Sequence, residues 1–143
     1  RGERLIPVAD FFQGVMTTSL EDDELLREIR LPVPPDDTRF GFCEFNRRAG
    51  DFAIAMAAVS YRVDGGVMTD PHVGIGGAED RARRINDAEQ ALAGKPPGPD
   101  AFLAAADAAA AAVDPMEDHA TSAKYRRDLV RTLTRRALEQ AAQ

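Results

Sequence analysis

The stretch Phe52-Ala53-Ile54-Ala55-Met56-Ala57-Ala58-Val59-Ser60-Tyr61-Arg62-Val63, followed by Asp64-Gly65-Gly66, decides the fold. Its alanines would allow a helix. A run of this length that feeds directly into Asp-Gly-Gly, a strong hairpin signal, reads instead as a buried strand, with Val67 to Ile75 returning as its antiparallel partner. Upstream, Arg47-Arg48-Ala49-Gly50-Asp51 is a turn. Before it, Phe40, Phe42 and Phe45 mark another strand, whose alternation breaks near Glu44, where a bulge or kink is expected. Further back, Glu21 to Glu24 form an acidic turn. In Leu25-Leu26-Arg27-Glu28-Ile29-Arg30-Leu31-Pro32, Ile29 and Leu31 alternate with charged residues, which predicts a half-buried strand closed by the prolines at 32, 34 and 35. The first segment, Arg4 to Leu20, has no sustained period. Asp10-Phe11-Phe12 predicts a short helical turn capped by Asp10, with its aromatics anchored to a core or to a neighbouring surface.

Downstream of Gly76-Gly77 the period changes from two to helical. Asn86 or Asp87 is placed to cap a short helix, Ala88 to Ala93, closed by Gly94 before Pro96 and Pro97. Asp100 opens an alanine-rich helix, Ala101 to Val113, which stops near Asp114-Pro115. Thr121 or Ser122 caps a last helix that carries Tyr125, Leu129, Val130, Leu133, Ala137 and Leu138 on one face and Arg126, Arg127, Arg131 and Arg135 on the others. The sum is an α+β unit, an antiparallel three- to four-stranded sheet packed against C-terminal helices.

The length of 143 residues is about one domain's worth, and 44% hydrophobic residues suffice for a core. No apolar run approaches the roughly 20 residues needed to span a bilayer, and Arg1-Gly2-Glu3-Arg4 opens no signal peptide, so the chain reads as soluble and cytoplasmic. The formal charge of −6 opposes a nucleic-acid role. One cysteine, Cys43, excludes an intrachain disulfide and any cysteine-built metal site, and His72 and His119 are too few and too far apart to suggest a metal centre or a hydrolytic triad. Gly74-Ile75-Gly76-Gly77 has the look of a phosphate loop. The acidic Ala78-Glu79-Asp80 directly after it argues for a plain turn at a strand end. Cys43 reads as a small apolar filler, and Glu44 has Arg47 and Arg48 as candidate local ion-pair partners or else is solvated surface. On its residues alone the chain is a scaffold more than a reaction centre.

Several blocks, taken in order, carry a resemblance. They are Arg4-Leu5-Ile6-Pro7-Val8-Ala9-Asp10-Phe11-Phe12-Gln13-Gly14 with Thr17, and Asp23-Glu24-Leu25-Leu26-Arg27-Glu28-Ile29-Arg30-Leu31-Pro32. Next comes Phe45-Asn46-Arg47-Arg48-Ala49-Gly50-Asp51-Phe52-Ala53-Ile54-Ala55. Gly76-Gly77, Ala88-Glu89 with Leu92 and Gly94, and Ser122-Ala123-Lys124-Tyr125-Arg126-Arg127 with Arg136-Ala137-Leu138 complete the set. Together they resemble the C-terminal part of the FAD-binding medium subunit of the molybdenum hydroxylases, the carbon monoxide dehydrogenase and xanthine dehydrogenase family. The resemblance divides the chain into residues 1–36, the tail of the FAD-binding region, and 37–143, the flavoprotein C-terminal domain.

In that family the medium subunit passes electrons from a molybdenum-cofactor large subunit, through an iron–sulfur small subunit, to FAD and an external acceptor. The resemblance implies that Leu26 lies beside the flavin and that the strand from Phe42 to Glu44 borders its ring, with Phe42 covering it. Relatives often carry a lysine where this chain has Glu44, and a carboxylate there disfavours an anionic reduced flavin. The family's glycine-rich loops that hold the FAD pyrophosphate belong to an N-terminal half not seen in this sequence, so the chain alone is expected to bind FAD weakly or not at all and to be inactive as an isolated oxidoreductase component. The alternative function is a non-catalytic binding or assembly module without flavin. Under either reading an apolar patch around Phe11, Phe12 and Phe42 is expected to be exposed.

Overall fold

A computed structural model of the chain describes residues 2–143, so that Arg1, the first residue of the opening tetrapeptide, lies outside the described residues. At its centre β4 (Ala55–Asp64) turns into β5 (Val67–Gly76) through Gly65 and Gly66, both at positive φ (56° and 83°), the backbone that a two-residue hairpin of this hand requires. The register runs from Asp64 opposite Val67 to Met56 opposite Gly76, with one shift between Ser60 and Arg62. There Asp70 and Pro71 oppose Tyr61 alone, Asp70 has φ 49°, and Pro71 has no N–H to give to the ladder.

β3 (Arg39–Phe45) pairs with β4 in unbroken register, and β6 (Arg83–Arg84) pairs with the end of β5, giving an antiparallel sheet in the order β3-β4-β5-β6. Two expectations are corrected here. The irregularity expected at Glu44 is absent from β3 and sits instead at Asp70–Pro71 of β5, where proline forces it. The strand expected around Ile29 and Leu31 is not formed: residues 24–35 are irregular, with Ile29 and Leu31 73% and 82% exposed. Alternation marks strand-forming capacity, but an extended segment becomes a strand only beside a partner that takes its backbone hydrogen bonds.

The N-terminal segment forms a helical turn, α1 (Val8–Phe11), and a small ribbon of β1 (Phe12–Gly14) and β2 (Thr17–Thr18). Pro7 is the cap, so Asp10 lies within the turn rather than capping it. Phe11 and Phe12 meet edge to face at 5.0 Å, and Arg81 donates to the Phe12 carbonyl at 3.0 Å, tying the ribbon to the main body. Arg4 grips Glu24 with two hydrogen bonds of 2.6 and 2.5 Å and also donates to the Ser19 carbonyl.

Three helices form the other layers. α2 (Asn86–Leu92) is capped by Ile85, not by the side chains of Asn86 or Asp87. What holds it is Glu89, which is buried, accepts from the Val73 N–H at 3.0 Å and receives two bonds from Arg84 at 2.8 and 2.7 Å. α3 (Pro99–Ala112) starts with proline at its first turn, where the missing N–H costs nothing, and buries Phe102, Ala105, Ala106 and Ala109. Phe102 lies against Tyr61 at 6.4 Å between ring centres.

α4 (Ala123–Ala141) is capped by the Ser122 hydroxyl, which accepts from the Tyr125 N–H at 3.2 Å, and it packs across β3 and β4. Its backbone runs so close to β3 that a Cβ at Gly41 would collide with the Ala137 carbonyl. The core lies between this layer and the sheet, where Ala55, Ala57, Val59 and Tyr61 are all 3% exposed or less.

One residue of α4 departs from the expected pattern. Spacing groups Arg126 with the outward arginines, yet it is 7% exposed, while Tyr125, expected inward, is 44% exposed. The Arg126 guanidinium donates to the carbonyls of Ile54 (2.8 Å) and Gly77 (2.9 Å) and to Asp118 Oδ2 (2.7 Å). Its role is to satisfy backbone that neither sheet nor helix can reach.

Replacing Arg126 by Ala should therefore destabilise the domain by about 3 kcal/mol in a urea titration, because two half-buried carbonyls lose their donors and Asp118 loses its partner. Arg126→Lys should recover part of this, since one ammonium cannot span all three acceptors. A second expectation concerns acid. The Arg4 guanidinium, helped by the Glu21 N–H, holds the Glu24 carboxyl down to about 2. A depressed carboxyl contributes stability above its ordinary range near 4.5 and loses it as pH falls toward the folded value. Proteolytic nicking within residues 2–24 should rise between pH 4.5 and 2, and Glu24→Gln should show that susceptibility already at neutral pH.

Candidate functional site

Alternation assigns each strand residue to one of two faces. The helices cover the face bearing Ala55, Ala57, Val59, Tyr61, Val73 and Ile75. The opposite face carries Phe40, Phe42 and Glu44 from β3, Met56, Ala58 and Ser60 from β4, and His72 and Gly74 from β5. Register aligns them in rows: Phe40–Ser60–His72, Phe42–Ala58–Gly74, and Glu44–Met56–Gly76. No helix or strand among the described residues packs extensively on this face, and Phe40 and Phe42 stand 59% and 51% exposed. Beside Phe42 the row falls away to a methyl group and a hydrogen, Ala58 and Gly74. A Cβ added to Gly74 would meet only the Ala58 carbonyl, at 3.6 Å. Met56, by contrast, lies over Gly76, where a Cβ would strike its side chain. The surface is thus a shallow apolar floor with a phenyl wall, suited to a flat partner or to another layer of protein.

Of the residues singled out in the sequence, Phe42 and Glu44 share this face, two positions apart on β3. Leu26 is 46% exposed on the irregular segment that leads from β2 to β3. Phe42 is fixed from behind, its N–H donating to Gln140 Oε1 of α4 at 2.9 Å. Glu44 is exposed and makes no ion pair with Arg47 or Arg48; Arg47 turns instead to the Thr121 hydroxyl, 3.1 Å away. Cys43 faces the core, and burial raises its thiol above the ordinary value, which suits a filler and not a nucleophile. Sequence reasoning missed Phe40, Ala58 and Gly74 as members of the surface. The signal that finds them is the register of the hairpin, since each lies level with a residue already flagged or on the same parity.

Two concave regions lie elsewhere. A cleft of about 480 Å³ runs between the 47–54 loop and residues 118–121, but Arg126 and Asp118 in its wall are engaged with each other and with backbone groups. A second, of about 330 Å³, is lined by Glu79, Arg81, Arg83 and Asp114, and there Glu79 bonds Arg83 and the Asp114 N–H. Among the described residues no three His, Cys, Asp or Glu side chains gather to hold a metal, and no helix is long and apolar enough to cross a membrane. Gly74-Ile75-Gly76-Gly77 ends β5, with Gly77 at φ 75° and so placed that a Cβ there would press on the Ala53 carbonyl. It is a structural turn. The face thus fits one side of a flat ring such as isoalloxazine, and no loop among the described residues supplies a cradle for the phosphates of FAD.

The sequence profile described as the CO dehydrogenase flavoprotein C-terminal domain matches residues 40–141. The medium subunit of nicotine 6-hydroxylase from Paenarthrobacter nicotinovorans is 36% identical over 99% of this chain and 49% of its own length. The medium chain of carbon monoxide dehydrogenase from Afipia carboxidovorans is 31% identical over 98% of this chain and 49% of its own. A solved structure of carbon monoxide dehydrogenase from Hydrogenophaga pseudoflava, in a form lacking the Mo-pyranopterin moiety of its molybdenum cofactor, contains a chain that superposes with a TM-score of 0.91 at 35% identity, covering 97% of this chain and 48% of that one. The chain thus spans about half the length of the relatives it matches. With sheet, helices and sequence all in agreement over residues 40–141, the chain belongs to the CO dehydrogenase flavoprotein C-terminal domain family.

Proposed function

We propose that this chain is part of the FAD-binding electron-transfer subunit of a molybdenum-containing dehydrogenase, forming one wall of the flavin site and a surface for subunit assembly. The observation that carries the reading is the uncovered sheet face, in a family whose members are flavoproteins: Phe42 rises beside the bare strip of Ala58 and Gly74. Residues 1–36 are then the tail of the FAD-binding region and 37–143 the C-terminal domain. The partners are a flavin-holding N-terminal half, a molybdenum-cofactor large subunit and an iron–sulfur small subunit, in a cytoplasmic complex.

When bound, FAD supplies the capacity to take up electrons and hand them to an acceptor. The chain's own residues position and tune. Phe42 offers an aromatic face held by the Gln140 bond to its backbone, which limits the rotation of the strand beneath it. Leu26 adds apolar contact from the segment before β3, and the strip of Ala58 and Gly74 leaves room for close approach. Glu44, two residues along the same face, sets a carboxylate near the ring and disfavours negative charge there, so it holds the reduction potential below what a lysine would give. On this reading FAD is retained by the other half of the subunit.

Three variants in the complete subunit test this. Phe42→Ala should weaken FAD binding about tenfold, the value of one aromatic contact near 1.4 kcal/mol. Glu44→Lys should raise the flavin potential by about 30 mV or more, and Glu44→Gln by less, read by equilibrium dye titration. Parent affinity together with parent potential in all three would place the flavin elsewhere and leave the face to assembly alone.

A further inference from the structure

We propose that His72, paired with Asp70, is a redox-linked proton site of the flavin wall: its imidazole binds a proton from solvent when the ring seated on the strip of Ala58 and Gly74 gains electrons, and gives it back when they leave. The inference rests on the flavoprotein reading for the identity of that ring. Its own observations are the place of His72 on the sheet and the carboxylate set against it. His72 lies level with Ser60 in the row beside the strip, and along β5 it is two residues from Gly74, about 7 Å of extended backbone. Glu44 stands in the row on the other side, so that a carboxylate and an imidazole bracket the strip diagonally. The His72 side chain is 41% exposed, which leaves it in contact with the water that must supply and receive its proton.

The backbone is bent where this pair forms. Asp70 has φ 49° and shares with Pro71 the bulge opposite Tyr61. A left-handed aspartate and a bulge thus interrupt the ladder immediately before His72, and irregularities of this kind re-aim side chains at functional surfaces. The result here is His72 Nε2 at 3.3 Å from Asp70 Oδ1. An imidazole that turns its Nε2–H to a carboxylate leaves Nδ1 to take the next proton. Arg62 of β4 and Arg84 of β6 also lie within electrostatic reach of Asp70. Each is already held by another carboxylate: Arg62 by Asp37 through bonds of 2.9 and 3.0 Å, with Asp64 nearby, and Arg84 by Glu89 through bonds of 2.8 and 2.7 Å. Phe40 and Ser60, which complete the row, carry no charge. Among the described residues His72 is therefore the one ion-pair partner of Asp70, and a protonated imidazole completes that pair.

Electrons and protons balance. Two electrons, delivered through the iron–sulfur centres of the complex and passed on to its external acceptor, bring two negative charges to the ring. One proton held at the ring and one held at His72 Nδ1 neutralise them, and both return to solvent when the electrons leave. The one bond made and broken in this chain is Nδ1–H. Histidine is the side chain that changes charge in the neutral range, whereas carboxylates and guanidiniums keep theirs, so the imidazolium can appear and disappear against the fixed field of Glu44.

The test has two equilibrium readouts on the complete FAD-loaded subunit. One is the flavin midpoint potential, measured against reporter dyes from about pH 5 to pH 8. The other is the proton NMR titration of the His72 ring in the oxidised and the fully reduced protein, assigned by the signal that His72→Gln removes. The proton affinity of His72 should rise about tenfold or more on reduction, and across the same window the potential of the parent should fall about 30 mV or more further than that of His72→Gln, the equivalent of tenfold for a two-electron couple. Asp70→Asn should move the window toward acid. Equal proton affinity in the two redox states, with potentials that follow pH identically in parent and His72→Gln, overturns the proposal. If Phe42→Ala in the same subunit still weakens FAD binding, that result removes the proton site alone and the flavin wall stands; if it does not, both fall. A redox-linked His72 beside an ineffective Phe42→Ala upholds the proton site and removes Phe42 from the wall. Thermal unfolding of His72→Gln should match the parent, because the side chain lies outside the core.

Discussion

The Arg126 guanidinium is the interaction on which the arrangement of layers depends. The start of α4 lies near the beginning of β4 and the end of β5, where the carbonyls of Ile54 and Gly77 fall just outside the ladder. Arg126 supplies both bonds from the first turns of α4 and reaches Asp118 in the preceding connection. The Asp118 carboxyl is itself held below the usual range, chiefly by the Ala120 N–H and with Arg126 adding to it. Helix, sheet and connection are thereby clamped at one corner, and Met116, bonded to the Ala78 carbonyl at 2.9 Å, continues the seam. A buried cation is tolerated here because a carboxylate and two carbonyls take the bonds of its two terminal nitrogens, leaving only Nε without a partner.

With that corner set, the rest of α4 can lie close to β3 only because Gly41 has no side chain. Its alanine- and leucine-bearing face then fills the space above the inward residues of β4. α2, α3 and α4 are all committed to this side. The asymmetry gives the other side its character: a sheet face with phenyl groups at 40 and 42, a methyl group and glycines at the centre, and polar residues at the rim. Exposed apolar surface of this kind is normally covered in the working protein. The irregular segment from Glu24 to Val33 likewise leaves aliphatic side chains bare, in a chain that spans about half the length of the relatives it matches.

The sheet is legible in the sequence where the signal is local. Asp64-Gly65-Gly66 names its turn because two consecutive positive φ values admit few other residues. Phe52 to Val63 reads as a strand despite its alanines because that turn comes directly after it, and β4 indeed begins at Ala55, although Phe52 itself is fully exposed. The α+β class, the last helix with its cap at Thr121 or Ser122, of which the structure selects Ser122, and the turn at Gly76-Gly77 stand on equally local grounds. Errors arise where a residue's meaning depends on something distant in the chain. Ile29 and Leu31 carry a strand pattern with no strand beside them, and β6 is too short to show any period. Arg126 looks like its neighbours Arg127, Arg131 and Arg135 until the orphaned carbonyls at 54 and 77 are brought to it.

The candidate surface divides in the same way. Phe42 and Glu44 stand out through the family resemblance and share one face in the structure, but Phe40, Ala58 and Gly74 become part of it only when the register puts them level. By itself the sequence determined the hairpin, the succession of sheet and helices, and the family, because turn geometry, residue period and ordered motifs are properties of neighbours along the chain. Only the tertiary structure decided which sheet face the helices cover, which arginine is buried and which apolar residues stay bare, since each of these depends on hydrogen-bond and packing partners that lie tens of residues away.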